Sequence, residues 1–273
     1  MKLLPLLLFT GAVLSPSASS AALIYGLTSG NDLISFDSSS PATVTSIGNI
    51  SQAGMVDIDF YSVNGVLYGA TSNGNLYRIN TTTASAVLAV SPLSTIAGVT
   101  DIDFNPAADR LRIFAAGNNN FRLAPDLFTN NATTPGTTVF DGIFSDPAVN
   151  LVGSAYTNNV DGTPATTLYS IDSVNDNLLI HSVGPAFNTV TVVGSLGLDA
   201  GLNAGFDIDQ AGTAYFSNEN NLYSLNLANG SATALGAVGG TGLVSIAAVA
   251  VPEASTASVL LLTGLTLLRR RRA

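Results

Sequence analysis

Apolar and polar residues alternate along most of the chain, in short runs separated by turn residues. Alternation with a period of two is typical of strands that bury one face. The dipeptides Asn64-Gly65, Asn73-Gly74 and Asn229-Gly230 fall between such runs, and Asn-Gly tolerates the positive φ angles of tight hairpins. No segment of 12 or more residues shows a clear apolar period of 3.6 residues. The pattern therefore predicts an all-β domain in which helix is scarce.

The strand pattern recurs along the domain. The segments VDIDF, TDIDF and GFDID begin at Val56, Thr100 and Gly205, and a further copy around Leu151 has a longer first loop. Each unit contains a strand, a turn, a strand with Leu-Tyr, a second turn, a strand with Asn-Leu-Tyr and a last Thr/Ala/Val strand. Four-stranded units of about 45 residues are typical of β-propeller blades.

The remaining unit is divided between the two ends of the domain. The segment from Leu23 lacks its first strand, whereas the segment from Thr241 is a first strand without the other three. Joining them would complete one sheet from both chain ends, as in propellers whose ring is closed in this way. We therefore predict a β-propeller of five four-stranded blades over residues 23–250, and the same strands could alternatively form a β-sandwich.

Both ends of the chain have the composition of targeting segments. Residues 1–22 contain Lys2, an apolar stretch from Leu3 to Leu14, and small residues up to Ala22, which predicts a secretory signal peptide. Residues 251–273 contain an apolar run from Thr256 to Leu268 followed by four arginines. A helix of that run spans roughly 20 Å, less than the ~30 Å hydrocarbon core of a bilayer. The positive-inside rule would keep the arginines in the cytoplasm, so we expect a stop-transfer element.

This C-terminal segment resembles the Pro-Glu-Pro sorting signal of bacterial envelope proteins. Pro252 and Glu253 match the first two motif positions, and Ala254 stands where the second proline would be. The resemblance implies recognition by an exosortase-type membrane protease, removal of the tail, and delivery to the cell envelope or extracellular matrix. A plain membrane anchor is the alternative. The basic residues that would be held in the cytoplasm are Arg269, Arg270, Arg271 and Arg272.

The charge of the domain excludes some classes of partner. Residues 23–250 contain four arginines, no lysine and 17 acidic residues, a formal charge of −13. Such a surface repels phosphates and anionic headgroups, which argues against nucleic-acid binding. The chain has no cysteine, which excludes disulfides, zinc–thiolate sites and cysteine nucleophiles.

The domain also resembles a known family through three segments. These are DFNPAADRLRIFAAGNNNFRLAPD at 103–126, GLTSGNDLISFD at 26–37, and YTNN at 156–159 ahead of TTLYSID. They resemble domain of unknown function 4394, whose members are typically bacterial and often exported. The resemblance implies the same fold and supplies no mechanism.

Three pairs of aspartates are the first candidate site. The two members of each pair are two residues apart and so share one face of a strand. If these strands are the innermost of their blades, the pairs converge on an axial channel and offer the hard oxygen ligands that Ca²⁺ prefers. Alternatively, the carboxylates cap turns or accept backbone N–H groups. The residues are Asp57, Asp59, Asp101, Asp103, Asp207 and Asp209.

A cluster of arginines is the second candidate site. Arg110 and Arg112 share a strand face, and we expect Arg122 to lie opposite Arg112 across a hairpin. The guanidinium groups could bind a carboxylate or sulfate of an envelope exopolysaccharide. Alternatively, they form a structural network with nearby acids. Those acids are Asp101, Asp103, Asp109 and Asp126.

The motifs of common enzymes are missing from the sequence. His181 is the single histidine, and no nucleophile elbow, phosphate-binding glycine motif or zinc-protease motif is present. The sequence therefore favours an exported binding or scaffolding protein without catalytic residues. A Ca²⁺-dependent propeller hydrolase or lactonase-like enzyme is the alternative, and a purely structural surface protein is the third hypothesis.

Overall fold

The computed structural model describes residues 21–91, 96–123, 137–146, 148–184, 186–240 and 242–250. Within these ranges the chain forms strands and turns and no helix. The strands make five four-stranded antiparallel sheets arranged in a ring. This is a five-bladed β-propeller, so the predicted architecture is confirmed and the β-sandwich alternative is wrong.

The blades follow one another along the chain. The domain opens with β1 (Ala22–Thr28), β2 (Asp32–Asp37) and β3 (Val44–Asn49). The next blade contains β4 (Met55–Tyr61), β5 (Val66–Thr71), β6 (Leu76–Ile79) and β7 (Ala86–Val90). It is followed by β8 (Val99–Asn105), β9 (Arg110–Ala115), β10 (Asn119–Leu123) and β11 (Thr138–Ile143). Then come β12 (Leu151–Tyr156), β13 (Leu168–Asp172), β14 (Asn177–His181) and β15 (Val190–Ser195). The last full blade has β16 (Ala204–Ile208), β17 (Ala214–Asn218), β18 (Asn221–Leu225) and β19 (Ala232–Ala237), and β20 (Leu243–Ala250) ends the domain.

The last strand closes the ring. β20 pairs antiparallel with β1, with Ala22 opposite Ala250 and Leu27 opposite Ser245. The closing sheet has the order β20-β1-β2-β3, so its innermost strand comes from the C-terminal end of the domain. The predicted completion of one blade from both ends is therefore confirmed.

The apolar core lies between the faces of neighbouring blades. Tyr68 of β5 and Phe104 of β8 are both buried, and their rings meet edge to face at 5.4 Å across one such interface. The outermost strands are largely exposed, and in every blade the pairing between the third and fourth strands carries a bulge. Bulges twist an exposed edge away from other strands and so protect it against pairing with other chains.

The predicted targeting segments lie almost wholly outside the described residues. β1 begins at Ala22, the last residue of the predicted signal peptide. The sorting motif at Pro252 and Glu253, the apolar run after it and the terminal arginines fall outside the described ranges. In the part of the chain that is described, no helix has the length and hydrophobicity to cross a membrane.

Candidate functional site

The innermost strands β4, β8, β12, β16 and β20 surround the axis of the propeller, and each contacts the next around the ring. Alternate residues of an inner strand project toward the neighbouring inner strand. The free edge of that neighbour carries N–H groups that no further strand pairs with. Hydrogen bonds from these N–H groups arrange the aspartates in two layers.

The upper acidic layer consists of Asp57, Asp101 and Ser245. Each side-chain oxygen accepts a hydrogen bond from a backbone N–H of the next inner strand. The pairs are Asp57 Oδ2 with Ile102 N at 2.6 Å, Asp101 Oδ1 with Ser154 N at 3.0 Å, and Ser245 Oγ with Ile58 N at 3.1 Å. In β16 the corresponding residue is Gly205, where a Cβ atom would lie 2.5 Å from the backbone nitrogen of Ile246. Glycine is therefore required there because the backbones of two blades approach closely.

The lower acidic layer consists of Asp59, Asp103 and Asp207, two residues further along their strands. Its hydrogen bonds repeat the same pattern: Asp59 Oδ2 accepts from Phe104 N at 2.8 Å, Asp103 Oδ1 from Tyr156 N at 3.2 Å, and Asp207 Oδ2 from Ala248 N at 2.6 Å. The three side chains each bring one carboxylate oxygen to within 4.8 Å of the other two. The structure therefore places three carboxylates from three different blades around one point on the axis.

The carboxylates of both layers are deeply buried, with exposed fractions of 2–7%. Burial raises the pKa of Asp57 and of Asp207 to about 7. Burial, followed by the charge of Asp207, raises the pKa of Asp59 well above its usual range. Burial also raises the pKa values of Asp103 and Asp101, with the neighbouring charges of Asp59 and Asp57 adding to it. The axis is thus a region of high carboxylate density in a low-dielectric environment.

Asp209 differs from the other predicted aspartates in its hydrogen bonds and in its position. Asp209 Oδ1 accepts from Thr213 N at 2.8 Å within the turn between β16 and β17, and Asp209 does not belong to the group of three converging carboxylates. In the described part of the chain, Asp101 Oδ2 and Asp209 Oδ2 are buried oxygens without a hydrogen-bond partner. Five of the six aspartates accept edge N–H groups, and the same five lie along one axis.

A wide cavity of about 550 Å³ opens at the end of the axis next to the upper acidic layer. We call it the wide mouth. Its walls are the first residues of the inner strands and the loops beside them, and none of its lining residues is charged. Side chains that can hydrogen-bond alternate with apolar ones, including Thr28, Asn31, Thr100, Asn150, Val152 and Leu202. No sequence pattern predicts this cavity, because loops from several blades build it.

A small cavity of about 100 Å³ lies beyond the lower acidic layer, at the other end of the inner strands. Ser62, Asn159 and Gln210 are among its lining residues. Ser62 Oγ and Asn159 Oδ1 are buried without a partner among the residues that the structure describes. The cavities at the two ends of the axis therefore differ about fivefold in volume.

The predicted arginine cluster forms around Asp141 of β11. Arg112 and Arg122 lie opposite each other in the β9–β10 hairpin, as predicted. Asp141 Oδ2 lies 2.6 Å from Arg112 Nη1, and Asp141 Oδ1 lies 3.3 Å from Arg122 Nε. Arg110 does not join them, because its Nη1 donates to the backbone carbonyl of Asp109.

The acid in these salt bridges is therefore not among those predicted from the sequence. Asp101 and Asp103 accept backbone N–H groups instead, and Asp126 lies outside the described residues. Asp141 reaches the arginines because β11 pairs with β10, where Val139 is opposite Arg122. The fourth strand of the blade, β11, places this acid beside the hairpin. The sequence repeat does not show which strand β11 pairs with.

His181 takes part in a buried chain of hydrogen bonds. Its Nδ1 lies 2.7 Å from the carbonyl oxygen of Phe187, and its Nε2 lies 2.7 Å from Ser170 Oγ. Ser170 Oγ lies in turn 3.0 Å from Ser154 Oγ. Burial lowers the pKa of His181 to about 4, so the ring is neutral at pH 7 and Nδ1 donates to the Phe187 carbonyl oxygen. Ser170 is fully buried, which leaves no access for a substrate to this serine–histidine pair.

Comparison with solved structures agrees with the fold. A chain of a nidogen/laminin complex superposes with a TM-score of 0.56 at 12% identity, over 85% of this chain and 98% of that one. A putative gluconolactonase gives a TM-score of 0.49 at 14% identity, covering 84% of both chains. A protein of unknown function from Bacteroides thetaiotaomicron gives 0.46 at 11% identity, covering 80% of this chain and 58% of that one. At 12% identity, the likeness to the chain of the nidogen/laminin complex concerns the fold alone.

Comparison with families is more direct. No curated protein sequence matches the chain. The family model described as "Domain of unknown function (DUF4394)" matches residues 32–250, from the start of β2 to the end of β20. The chain, a five-bladed propeller with a carboxylate-lined axis, belongs to the DUF4394 family.

Proposed function

We propose that this protein is an exported binding or scaffolding module of the bacterial cell envelope or extracellular matrix, and that its ligand binds at the wide mouth. The observation that carries the proposal is the uncharged cavity of about 550 Å³ at one end of the axis. Its volume falls within the roughly 300–1,000 Å³ that is usual for small-ligand sites.

The lining indicates the class of ligand. Amide and hydroxyl groups such as those of Asn31, Thr100 and Asn150 can donate to and accept from a polyhydroxylated molecule. Val152 and Leu202 offer apolar surface to its C–H groups. A neutral segment of an exopolysaccharide combines these properties, and it avoids repulsion by a domain of formal charge −13.

The arginine cluster offers less support for an anionic ligand. Arg112 is 3% exposed and its guanidinium contacts Asp141, Asn120 and Tyr156. A bidentate contact with an outside carboxylate or sulfate would require breaking these hydrogen bonds. The neutral ligand is therefore the better candidate.

Export and sorting rest on the sequence of the two ends. In this proposal the signal peptide at residues 1–22 directs secretion, and the tail from residue 251 holds the protein until an exosortase-type protease acts at Pro252 and Glu253. Intact-mass measurements on the native protein from membrane and extracellular fractions test this part. A product that ends near Glu253 outside the membrane supports sorting, whereas a full tail found only in the membrane fraction means a plain anchor.

Ligand binding is tested by titrating the purified protein with neutral and with sulfated or carboxylated oligosaccharides. Ser29→Trp fills the wide mouth from an exposed loop position and should weaken binding of the neutral ligand at least tenfold. Val183→Trp, at a 91% exposed position of the β14–β15 loop that does not line the wide mouth, is the matched control and should bind normally. Equal affinity in both variants, or binding of charged oligosaccharides alone, contradicts the proposal.

A Ca²⁺-dependent hydrolase is the second candidate, and the convergence of Asp59, Asp103 and Asp207 favours it. Against it, none of the three lines either axial cavity, so a substrate in the wide mouth would not touch them. Turnover of lactone or aryl-ester probes that stops on addition of EGTA, and is lost in Asp207→Asn, would replace the binding proposal with this one.

A further inference from the structure

The lower acidic layer joins three blades at the axis. Asp59, Asp103 and Asp207 belong to β4, β8 and β16, and each binds the inner strand of the following blade. One oxygen of each lies within 4.8 Å of the others. Three buried carboxylates at this spacing cannot all be ionised unless positive charge lies among them, so either protons or a cation must neutralise them.

An oxygen of the upper layer supplies the second observation. Asp101 is 4% exposed, and its Oδ2 has no hydrogen-bond partner in the described part of the chain. The carboxyl group of Asp57 is a hydrogen-bonding neighbour of Asp101 in the upper layer, and the charge of Asp101 acts on Asp103 in the lower layer, so Asp101 lies close to both layers. Buried acceptors are nearly always satisfied by a donor, a water molecule or an ion. The free oxygen of Asp101 therefore requires a proton shared with Asp57, a water molecule or a cation beside it.

We propose that one Ca²⁺ ion binds on the propeller axis between Asp59, Asp103 and Asp207. Calcium binds oxygen ligands at about 2.3–2.6 Å, so two ligands of one ion lie at most about 5 Å apart, and the three carboxylates satisfy this limit as they stand. Calcium takes 6–8 oxygen ligands, so water molecules would complete the shell, and a water between the layers would satisfy Asp101 Oδ2.

The ion would act as a structural tie. The three carboxylates line neither of the two axial cavities, so the ion would be enclosed and would hold three blades together rather than meet a substrate. The inference is independent of the ligand at the wide mouth. Either proposal can fail while the other stands.

The test is direct binding of calcium to the purified full-length chain. The protein is stripped with EGTA, dialysed into metal-free buffer with physiological salt, and titrated with CaCl₂ by isothermal titration calorimetry. We expect one saturable site per chain and a melting temperature that rises with calcium concentration, because binding to the folded state alone stabilises it. The absence of saturable binding in the wild-type protein overturns the proposal.

Two variants locate the ion. Asp207→Asn keeps an oxygen that can accept from Ala248 N but removes one charge, and it should weaken calcium binding at least tenfold. Asp199→Asn changes an exposed aspartate in the loop before β16 and should bind like the wild type. Stoichiometric binding that Asp207→Asn leaves unchanged would place the ion elsewhere on the acidic surface and overturn the proposal.

A measurement on the wild-type protein alone covers the case in which Asp207→Asn does not fold. Carboxyl ¹³C resonances of the aspartates are recorded with and without calcium. We expect the buried aspartates of the lower layer to shift as the site saturates. Shifts confined to exposed aspartates would overturn the proposal.

Discussion

At the scale of single residues, Asp141 is the side chain on which the arginine cluster depends. It is 5% exposed and lies between Arg112, which is equally buried, and Arg122, which is 31% exposed. Removing the acid would leave the Arg112 charge buried without its carboxylate. Such a loss lowers the free energy of unfolding by about 3–5 kcal/mol, far more than the loss of a partly exposed ion pair does.

We therefore expect Asp141→Ala to lower the free energy of unfolding by about 3 kcal/mol or more, as measured by urea denaturation. Arg122→Ala should cost about 1 kcal/mol or less, because its partner retains Arg112 and its own head is partly in water. Equal losses in the two variants would show that Asp141 does not compensate a buried charge.

His181 gives the domain a pH-dependent contribution to stability. Its pKa is about 4 in the folded protein and about 6.5 in an unfolded chain. Between these values the unfolded chain binds a proton that the folded protein excludes, so stability is complete above pH 6.5 and is lost as the pH falls toward 4.

His181→Gln removes this contribution. The stability of the wild type relative to the variant should fall by about 3 kcal/mol between pH 6.5 and pH 4, as measured by chemical denaturation across that range. Titrating aspartates affect both proteins equally, so the difference isolates the histidine. A difference that does not change with pH would mean that folding leaves the pKa of the imidazole unchanged.

At the scale of elements, β20 contributes to two structures at once. It is the innermost strand of the closing blade, and it supplies Ser245 Oγ to the upper acidic layer and Ala248 N to Asp207. Its loss would expose the inner edge of β1 and leave Asp207 without the N–H of the next blade.

A chain that stops at Ala250 should therefore unfold at the same temperature as the full chain, because every strand is present. A chain that stops at Gly242 lacks β20 and should lose its cooperative thermal transition, as followed by near-UV circular dichroism. Retention of a sharp transition without β20 would show that ring closure is dispensable for the fold.

The element scale is also where the sequence was most informative. The spacing of the Asp-x-Asp segments, the Asn-Gly turns and the split unit predicted the number of blades and the closing pair correctly. Each of these signals is local and repeats, so one unit supports the interpretation of the next. Asp59 and Asp103 could be placed on the axis for the same reason.

At the scale of the whole molecule, the salt bridges of Asp141 and the wide mouth depend on contacts that the sequence repeat does not encode. Asp141 lies in the outer strand of its blade, where the repeat is weakest, and its partners are 29 and 19 positions away. The wide mouth is built from loops of different blades, including those at Asn31, Asn150 and Leu202. Loops vary in length and carry no period, so their convergence appears only when the ring is assembled.

The register of the closing pair has a mechanical consequence. Ala22 and Ala250 lie opposite each other, so the chain enters and leaves the propeller at the same end of the β1–β20 ladder. A force that pulls the two ends apart would therefore load the hydrogen bonds of this ladder one at a time, as in opening a zip, instead of loading all of them together in shear. The propeller would therefore resist a force applied to an interior blade better than a force that separates β1 from β20.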